Sequence, residues 1–408
     1  MSLEIPFKLL LPFSSFSFTG VPAGATTAGL GSQHGQLLPY NNQRTSHFFN
    51  VKTFGAQADG LTDDTKAFLS AWNKACQATG EVDIMIPKGT YLVGPLKFAG
   101  PCENVSKIVV HMKGYLKATT NLFKYGDGAG WVEFRWIEGL TLTGGGTFDG
   151  QGAKAWPYNS CSTDFNCKLL PTLQQNVKFL AMNRTIVRGI TSVNSKFFHM
   201  ALVECKNFKG SKIKISAPAD SPNTDGIHIQ RSSGVYFSRS LIGTGDDCIS
   251  IGQGILNVGS LGRYKDEGDV SGLVVRDCTM IGTSNGIRIK TWANSPGRSE
   301  ATNMTFENIN MENVTNPIII DQSYCPFASC TPMGPSQVKL SDIYFKKIKG
   351  TSLSAVAVAL ECSKGIPCQD IYLEDVHLEL ATGEKQVTST CKNVRAKYIG
   401  TQIPPPCA

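Results

Sequence analysis

Charge is sparse in this 408-residue chain: Asp, Glu, Lys and Arg together make up 17% of it. So small a charged fraction is poor material for long solvated helices, and 41 glycines suit many short strands and turns instead. No apolar run reaches the ~18 to 20 residues that cross a bilayer, so no membrane partner is expected. The 39 lysines and arginines outnumber the 32 acids and give a formal +7, yet they form no runs. That argues against a nucleic-acid arm and is compatible with a polyanionic polymer, although a mildly basic surface can simply be a solvated one. The cysteines lack the spacing of a zinc site, and neither a metal nor a cofactor is expected.

Cysteine itself is plentiful, at 13. Cys161/Cys167, Cys325/Cys330 and Cys362/Cys368 are close pairs and Cys391/Cys407 lies near the end, which fits an oxidising compartment and so a secreted, extracellular protein. An odd count leaves at least one thiol without a partner inside the chain. Asn104, Asn183, Asn303 and Asn313 each begin a triplet of glycosylation-acceptor form, a pattern that also arises by chance. Residues 1–48 are poorly patterned; their apolar run LLLPFSSFSF is broken by Pro12 and serines, which with Glu4 makes a weak secretory leader. Residues 49–408 read as one long body, because a solenoid grows without the size limit of a globular domain. A monomer is expected.

From His47 the pattern sharpens. HFFNVKTFGAQADG reads as strand and turn, and TDDTKAFLSAWNKACQATG as a helix capped by Thr62 or Asp63. Its apolar stripe is Ala67, Phe68, Ala71, Trp72 and Ala75, and a lone helix ahead of many strands suits the end-cap of a solenoid. Strands are expected at 82–86, 91–93, 107–112, 131–136 and 140–143. From Phe208 each coil shows a first strand and then a second. FKGSKIKI precedes DGIHIQ, VYFSRSLI precedes DDCISI, LVVRDCTMI precedes NGIRIK, MTFENINM precedes NPIIID, and IYFKKIKG precedes AVAVALE. First strands start at Phe208, Val235, Leu273, Met304, Ile343 and Ile371, with no helix between them long enough for a βαβ crossover. The fold class is therefore all-β: a single-stranded right-handed parallel β-helix with a short N-terminal capping helix.

One stretch, PNTDGIHIQRSSGVYFSRSLIGTGDDCISIG, gathers the candidate chemistry. Aligning Ile227-x-Ile229 with Ile249-x-Ile251 puts Asp225 over Asp247 and Thr224 over Asp246, so neighbouring coils ~4.8 Å apart would crowd three carboxyl groups onto one patch. Crowded like charges raise at least one pKa, and a protonated acid beside an ionised base is what glycosidic hydrolysis needs. Asp beside Gly is also ordinary turn chemistry, and it is the matched strand positions that favour function. Inversion asks for carboxyl groups about 6.5 to 9.5 Å apart. Adjacent strand residues face opposite ways, so Asp246 and Asp247 share a cleft only if the backbone between Gly245 and Ile249 breaks the alternation. His228 aligns with Ser250 and Arg288, which places it outward over the cleft floor. Arg288 and Lys290 alternate on one strand, as a plain solvated face would, but they align with the aspartate-bearing strands.

NTD at Asn223–Asp225, GDD at Gly245–Asp247 and RIK at Arg288–Lys290 resemble the polygalacturonases, pectin-cleaving glycoside hydrolases built on a parallel β-helix. FNVKTFGAQADGLTDDTKAF, GTFDGQG at Gly146–Gly152 and DQSYC at Asp321–Cys325 are similar to the plant members, and GSLGRYKDEGDVSG to the pollen-type exo-acting group; the likeness runs from about Asn50 to the C-terminus. The resemblance implies that Asp246 is the general acid and that Asp225 and Asp247 activate water. It also implies that Arg288 and Lys290 hold a galacturonate carboxylate, with Tyr324 touching the substrate and Asn223 at the edge of the same subsite; His228 is a candidate substrate contact by its alignment alone. The substrate implied is polygalacturonate, cut at α-1,4 links with inversion during modification of the plant cell wall.

One coil departs from this pattern. The family carries a further coil after GDDC, with a cysteine and a GHG histidine; here GQGILNVGSLGRY follows, and Gln253 or Gly254 stands where that histidine would fall. ILNV looks like a second strand without its first, and Cys248 lacks the partner the family supplies. Loss of a coil would bring Arg288 and Lys290 ~4.8 Å nearer the aspartates. Two rivals follow: a wall protein that binds pectin without cutting it, and a calcium-dependent pectate lyase.

Overall fold

The computed structural model describes residues 46–126, 130–159, 174–252, 261–325, 334–383 and 386–407. Within them the chain is a right-handed parallel β-helix. One sheet has 10 strands in strict chain order: β1 (Leu96–Ala99), β2 (Val132–Arg135), β3 (Val177–Leu180), β4 (Met200–Val203), β5 (Ile227–Gln230), β6 (Asp247–Ile251), β7 (Asn285–Trp292), β8 (Asn316–Tyr324), β9 (Val356–Glu361) and β10 (Thr388–Lys392). A second, 19-stranded sheet supplies the other faces.

The expected columns are the observed ones. Phe208, Val235, Leu273, Met304, Ile343 and Ile371 are successive register partners. In the smaller sheet Ile227, Ile249, Ile287, Ile318 and Val358 stack likewise. Period-2 alternation sends these residues inward, where Ile227, Ile249, Ile287 and Ile318 are fully buried. Each such side chain contributes about 1.5–3 kcal/mol on burial. Towards the N-terminus the filling turns aromatic, with Phe134 stacked on Phe179 at 5.6 Å and Phe179 edge-on to Phe208 at 5.0 Å. Residues such as Asn207, Asp277 and Asn308 turn the corners with positive φ, and Asn308 donates to Asp277 in the rung before at 2.8 Å.

Helix α1 (Thr65–Cys76) buries the expected stripe of Ala67, Phe68, Ala71, Trp72 and Ala75. Its cap differs from expectation. Asp64 occupies the N-cap position, but its carboxylate turns back to accept from the Gln57 and Ala58 amides; Asp63 accepts from the Thr65 amide. Cys362–Cys368 and Cys391–Cys407 are disulfides, and Cys76–Cys102 pins the helix end to the loop after β1. Cys325 is disulfide-bonded as well. Cys205, Cys248 and Cys278 are buried free thiols. Cys161, Cys167 and Cys330 lie outside the described residues, as do Gln253, Gly254, the ILNV segment and residues 1–45.

Candidate active site

The site is built where β5, β6 and β7 begin. β6 pairs directly with β7, Ser250 against Arg288 and Asp247 against Asn285, so the rung of the cations follows the rung of the paired acids without another between. The alternation does break as the chemistry demands. Cys248 and Ile249 are both packed in the core, and Asp247 before them faces the cations instead. In the neighbouring rung Gly226 takes the place of Cys248: a Cβ there would come within 2.5 Å of the Cys248 carbonyl and the Ile242 side chain. Asp246 sits in the bend ahead of β6, half-buried. Its backbone is pinned from both sides. Gly245 donates to Thr224 Oγ1 at 3.1 Å, Ser284 donates to the Gly245 carbonyl at 2.9 Å, and Thr283 donates to the Asp246 carbonyl. A side chain at Gly245 would collide with the Ser221 carbonyl at 2.0 Å.

Asp247 is the hub. Its Oδ2 accepts from Lys290 Nζ at 2.8 Å, and its Oδ1 from Asn285 at 2.7 Å and Arg288 at 3.4 Å. Asn316 of the next rung donates to Asn285 at 3.0 Å, so a polar ladder descends Asn316, Asn285, Asp247. Burial opposes ionisation of Asp247, but Lys290 and Arg288 outweigh it and hold its carboxyl down at about 2. Asp246 goes the other way: burial, with the Asp247 charge beside it, raises it to about 6. Asp225 is buried and pushed well up by burial and then by Asp246 and Asp247; one of its carboxylate oxygens has no hydrogen-bond partner. The crowded carboxyl groups therefore split into one fixed anion, Asp247, and two whose ionisation is opposed by burial and by the neighbouring charges.

Tyr324 closes the cationic side, with the Arg288 and Lys290 charges each 5.1 Å from its ring centre and Trp292 edge-on at 6.2 Å. Arg288 also reaches Asp321 at 3.9 Å. Asn223 stands at the opposite flank, where its amide donates to both the backbone and side-chain oxygens of Asn159, at 2.8 and 3.0 Å. Asn159 in turn donates to the carbonyls of Lys196 and Pro222, at 3.3 and 3.0 Å.

His228 corrects one expectation. It faces outward in register with Ser250 and Arg288, but it is 1% exposed and stacked on Phe198 at 4.7 Å, with Nδ1 sharing a hydrogen bond with Ser250 at 2.9 Å. Burial, with Lys290 nearby, lowers it to about 3.

Sequence reading brought together Asp225, Asp246, Asp247, Arg288, Lys290 and Tyr324. It passed over Asn285, Asn316, Ser250 and Asn159. The two ladder asparagines had a signal: Asn before Gly-Ile and before Pro-Ile stands where Asp stands in DGIHIQ and DCISI. Asn159 had none, since it arrives from a distant turn.

A parallel β-helix that clusters three carboxyl groups beside two cations has the make-up of a carbohydrate-active solenoid, and the likenesses agree. The family model described as glycosyl hydrolases family 28 matches residues 76–400, and one described as rhamnogalacturonase A/epimerase, pectate lyase-like, matches residues 48–99. An exopolygalacturonase of Platanus acerifolia is 42% identical over 377 residues, covering 89% of this chain and 98% of that protein. One of Oenothera organensis is 44% identical over 362 residues, covering 85% and 98%. Among solved structures, an exopolygalacturonase from Thermotoga maritima superposes with a TM-score of 0.66 at 19% identity, covering 86% of this chain and 90% of that one, a likeness of fold. This chain belongs to the glycosyl hydrolases of family 28.

Proposed function

We propose that the chain hydrolyses α-1,4-galacturonosidic links of polygalacturonate with inversion, and that the solenoid from residue 49 onward is its catalytic body. The observation that carries this is the split between adjacent carboxyl groups, Asp246 raised to about 6 and Asp247 held at about 2. A carboxylic acid that keeps its proton in mildly acidic solution can give it to the leaving glycosidic oxygen. Asp225 and Asp247 activate the water unequally. Asp247, tied to Lys290, supplies fixed negative charge; Asp225, the more basic of the two, takes the water's proton when ionised. Arg288 and Lys290 place positive charge where a galacturonate carboxylate would lie, and Tyr324 offers its ring to the sugar.

Action from a chain end is supported by the Asn159 segment, which stands locked to Asn223 on the N-terminal flank of the acids, and by the exo-acting relatives named above. Export to the cell wall is supported by Cys76–Cys102 and Cys362–Cys368, bonds that persist in oxidising surroundings.

Digestion of unesterified polygalacturonate at mildly acidic pH tests the reading. Release of reducing monogalacturonate is the expected result. Binding without release would support a pectin-holding wall protein, and an unsaturated product abolished by chelator would establish a lyase.

A further inference from the structure

The surplus positive charge of this chain is thin in sequence but not in space. Besides the buried Lys196, residues 184–214 contain six exposed cations, Arg184, Arg188, Lys206, Lys209, Lys212 and Lys214, and one acid, Glu204, itself paired with Arg231 at 2.6 Å. Register gathers them. Lys206 lies against Asn183 and Lys209 against Ile186 in the strand that carries Arg184 and Arg188, and Lys214 lies against Thr191 on the same pair of coils. On the rung after, Tyr236 continues the column of Lys209, and Arg239 turns a corner with the same positive φ as Lys212. With rungs ~4.8 Å apart, these charges flank one corner of the solenoid, marked by Lys212 and Arg239, over about three coils.

That corner belongs to the larger sheet, whereas the acids and Lys290 rise from the smaller one. It is also thinly compensated. Several surface lysines elsewhere sit opposite acids, as in Lys346–Glu374 at 3.3 Å, Lys339–Glu300 at 3.4 Å, Lys392–Glu361 at 3.2 Å and Lys397–Asp370 at 2.8 Å. Among the described residues no ion pair engages Arg188, Lys206, Lys209, Lys212 or Lys214; Arg184 meets Glu138 at 2.5 Å, and Arg239 lies near enough to Asp277 to favour its ionised form. Like charges stacked across strands repel one another, and an arriving polyanion relieves that repulsion.

We propose that this basic face is a second binding surface for an acidic polysaccharide, an unesterified galacturonan stretch laid across the rungs while the cleft on the other sheet works on a chain end. The choice of polymer rests on the function proposed above. A nucleic acid fits less well, since Tyr236 is the one aromatic ring among these outward positions and single-stranded recognition needs stacking platforms. Holding the polymer at a second point raises the local concentration of ends at the cleft without any change in the cleft itself.

The test replaces Lys206, Lys209, Lys212 and Lys214 by Gln in an Asp246→Asn background and measures retention on immobilised polygalacturonate against salt. A control carries Lys66→Gln and Lys74→Gln on α1. The expected result is about tenfold weaker retention at low salt, converging with the control at high salt where screening removes the difference. In the otherwise native chain the same four changes should leave turnover of a trigalacturonide within about twofold, since steering by a remote charge acts on long polymers. Unchanged retention overturns the proposal, as does an equal loss on fully methyl-esterified pectin or tighter binding to RNA than to polygalacturonate. If the native chain releases no sugar yet the lysine changes still weaken retention, the binding face stands and the hydrolytic reading falls.

Discussion

Strands β5 to β7 and strands β8 and β9 run in the same register, stack the same inward Ile, Val and Leu columns, and differ almost wholly in what points out. Outward from β5 to β9 one column reads His228, Ser250, Arg288, Ile319, Ala359. At the strand heads Asp225 and Asp247 give way to Asn285 and Asn316, and Lys290 gives way to Asp321 and then Glu361. Backbone and core are therefore indifferent to the chemistry. The site is a change of side chains on alternate positions of a ladder that would stand without them, together with one local break of alternation at Cys248 and Ile249.

The sharpest way to break the comparison is Asp246→Asn. Turnover should fall by about 10²–10⁴-fold, the range lost with a general acid, while thermal unfolding shows the solenoid intact. A variant that keeps most of its rate would show that another group supplies the proton. Next in size is Lys290→Met, which strands a fully buried Asp247 and should cost about 3–5 kcal/mol in urea unfolding. Adding Asp247→Asn should recover part of that loss, since the buried charge goes with it. If Lys290→Met alone is neutral, Asp247 is not the hub described.

The acids also predict opposite pH responses. Asp247 titrates at about 2 in the folded chain and near 3.9 when unfolded. Its contribution to stability is complete above about pH 4 and disappears as pH falls towards 2. Asp246, raised to about 6, must be protonated and Asp225 ionised, so kcat should follow a bell whose falling limb is set by Asp246. A rate that climbs to a plateau with no falling limb would contradict its role. The smallest effect is expected in the other region: Ile319→Ser, at the half-buried position of Arg288 one rung on, should cost about 1 kcal/mol of stability.

Much of this was legible in the sequence because a solenoid repeats itself. The spacing of Phe208, Val235 and Leu273 gave the rungs, and matching DGIHIQ to DDCISI put Asp225 over Asp247. What stayed hidden depends on which rung lies next to which and on what crosses from elsewhere. Nothing local shows that Lys290 closes to 2.8 Å from Asp247; that follows from β7 lying directly beside β6. Burial of His228 comes from Phe198, thirty residues earlier, and the wall at Asn223 from Asn159. The ladder through Asn285 and Asn316 was visible as a column but reads locally as turn chemistry. The basic face escaped notice because its lysines are two or three residues apart and only stacking unites them with Arg184, Arg188 and Arg239.

The most direct measurement is carboxyl 13C NMR of Asp-labelled protein, with Asp246→Asn and Asp247→Asn used to assign the signals. One carboxyl lost with Asp246 and titrating near 6, beside one lost with Asp247 and still charged at pH 3, is the expected result. Two carboxyl groups titrating together near 4 would mean that the adjacent acids are not set apart, and the proton donor proposed here would not exist.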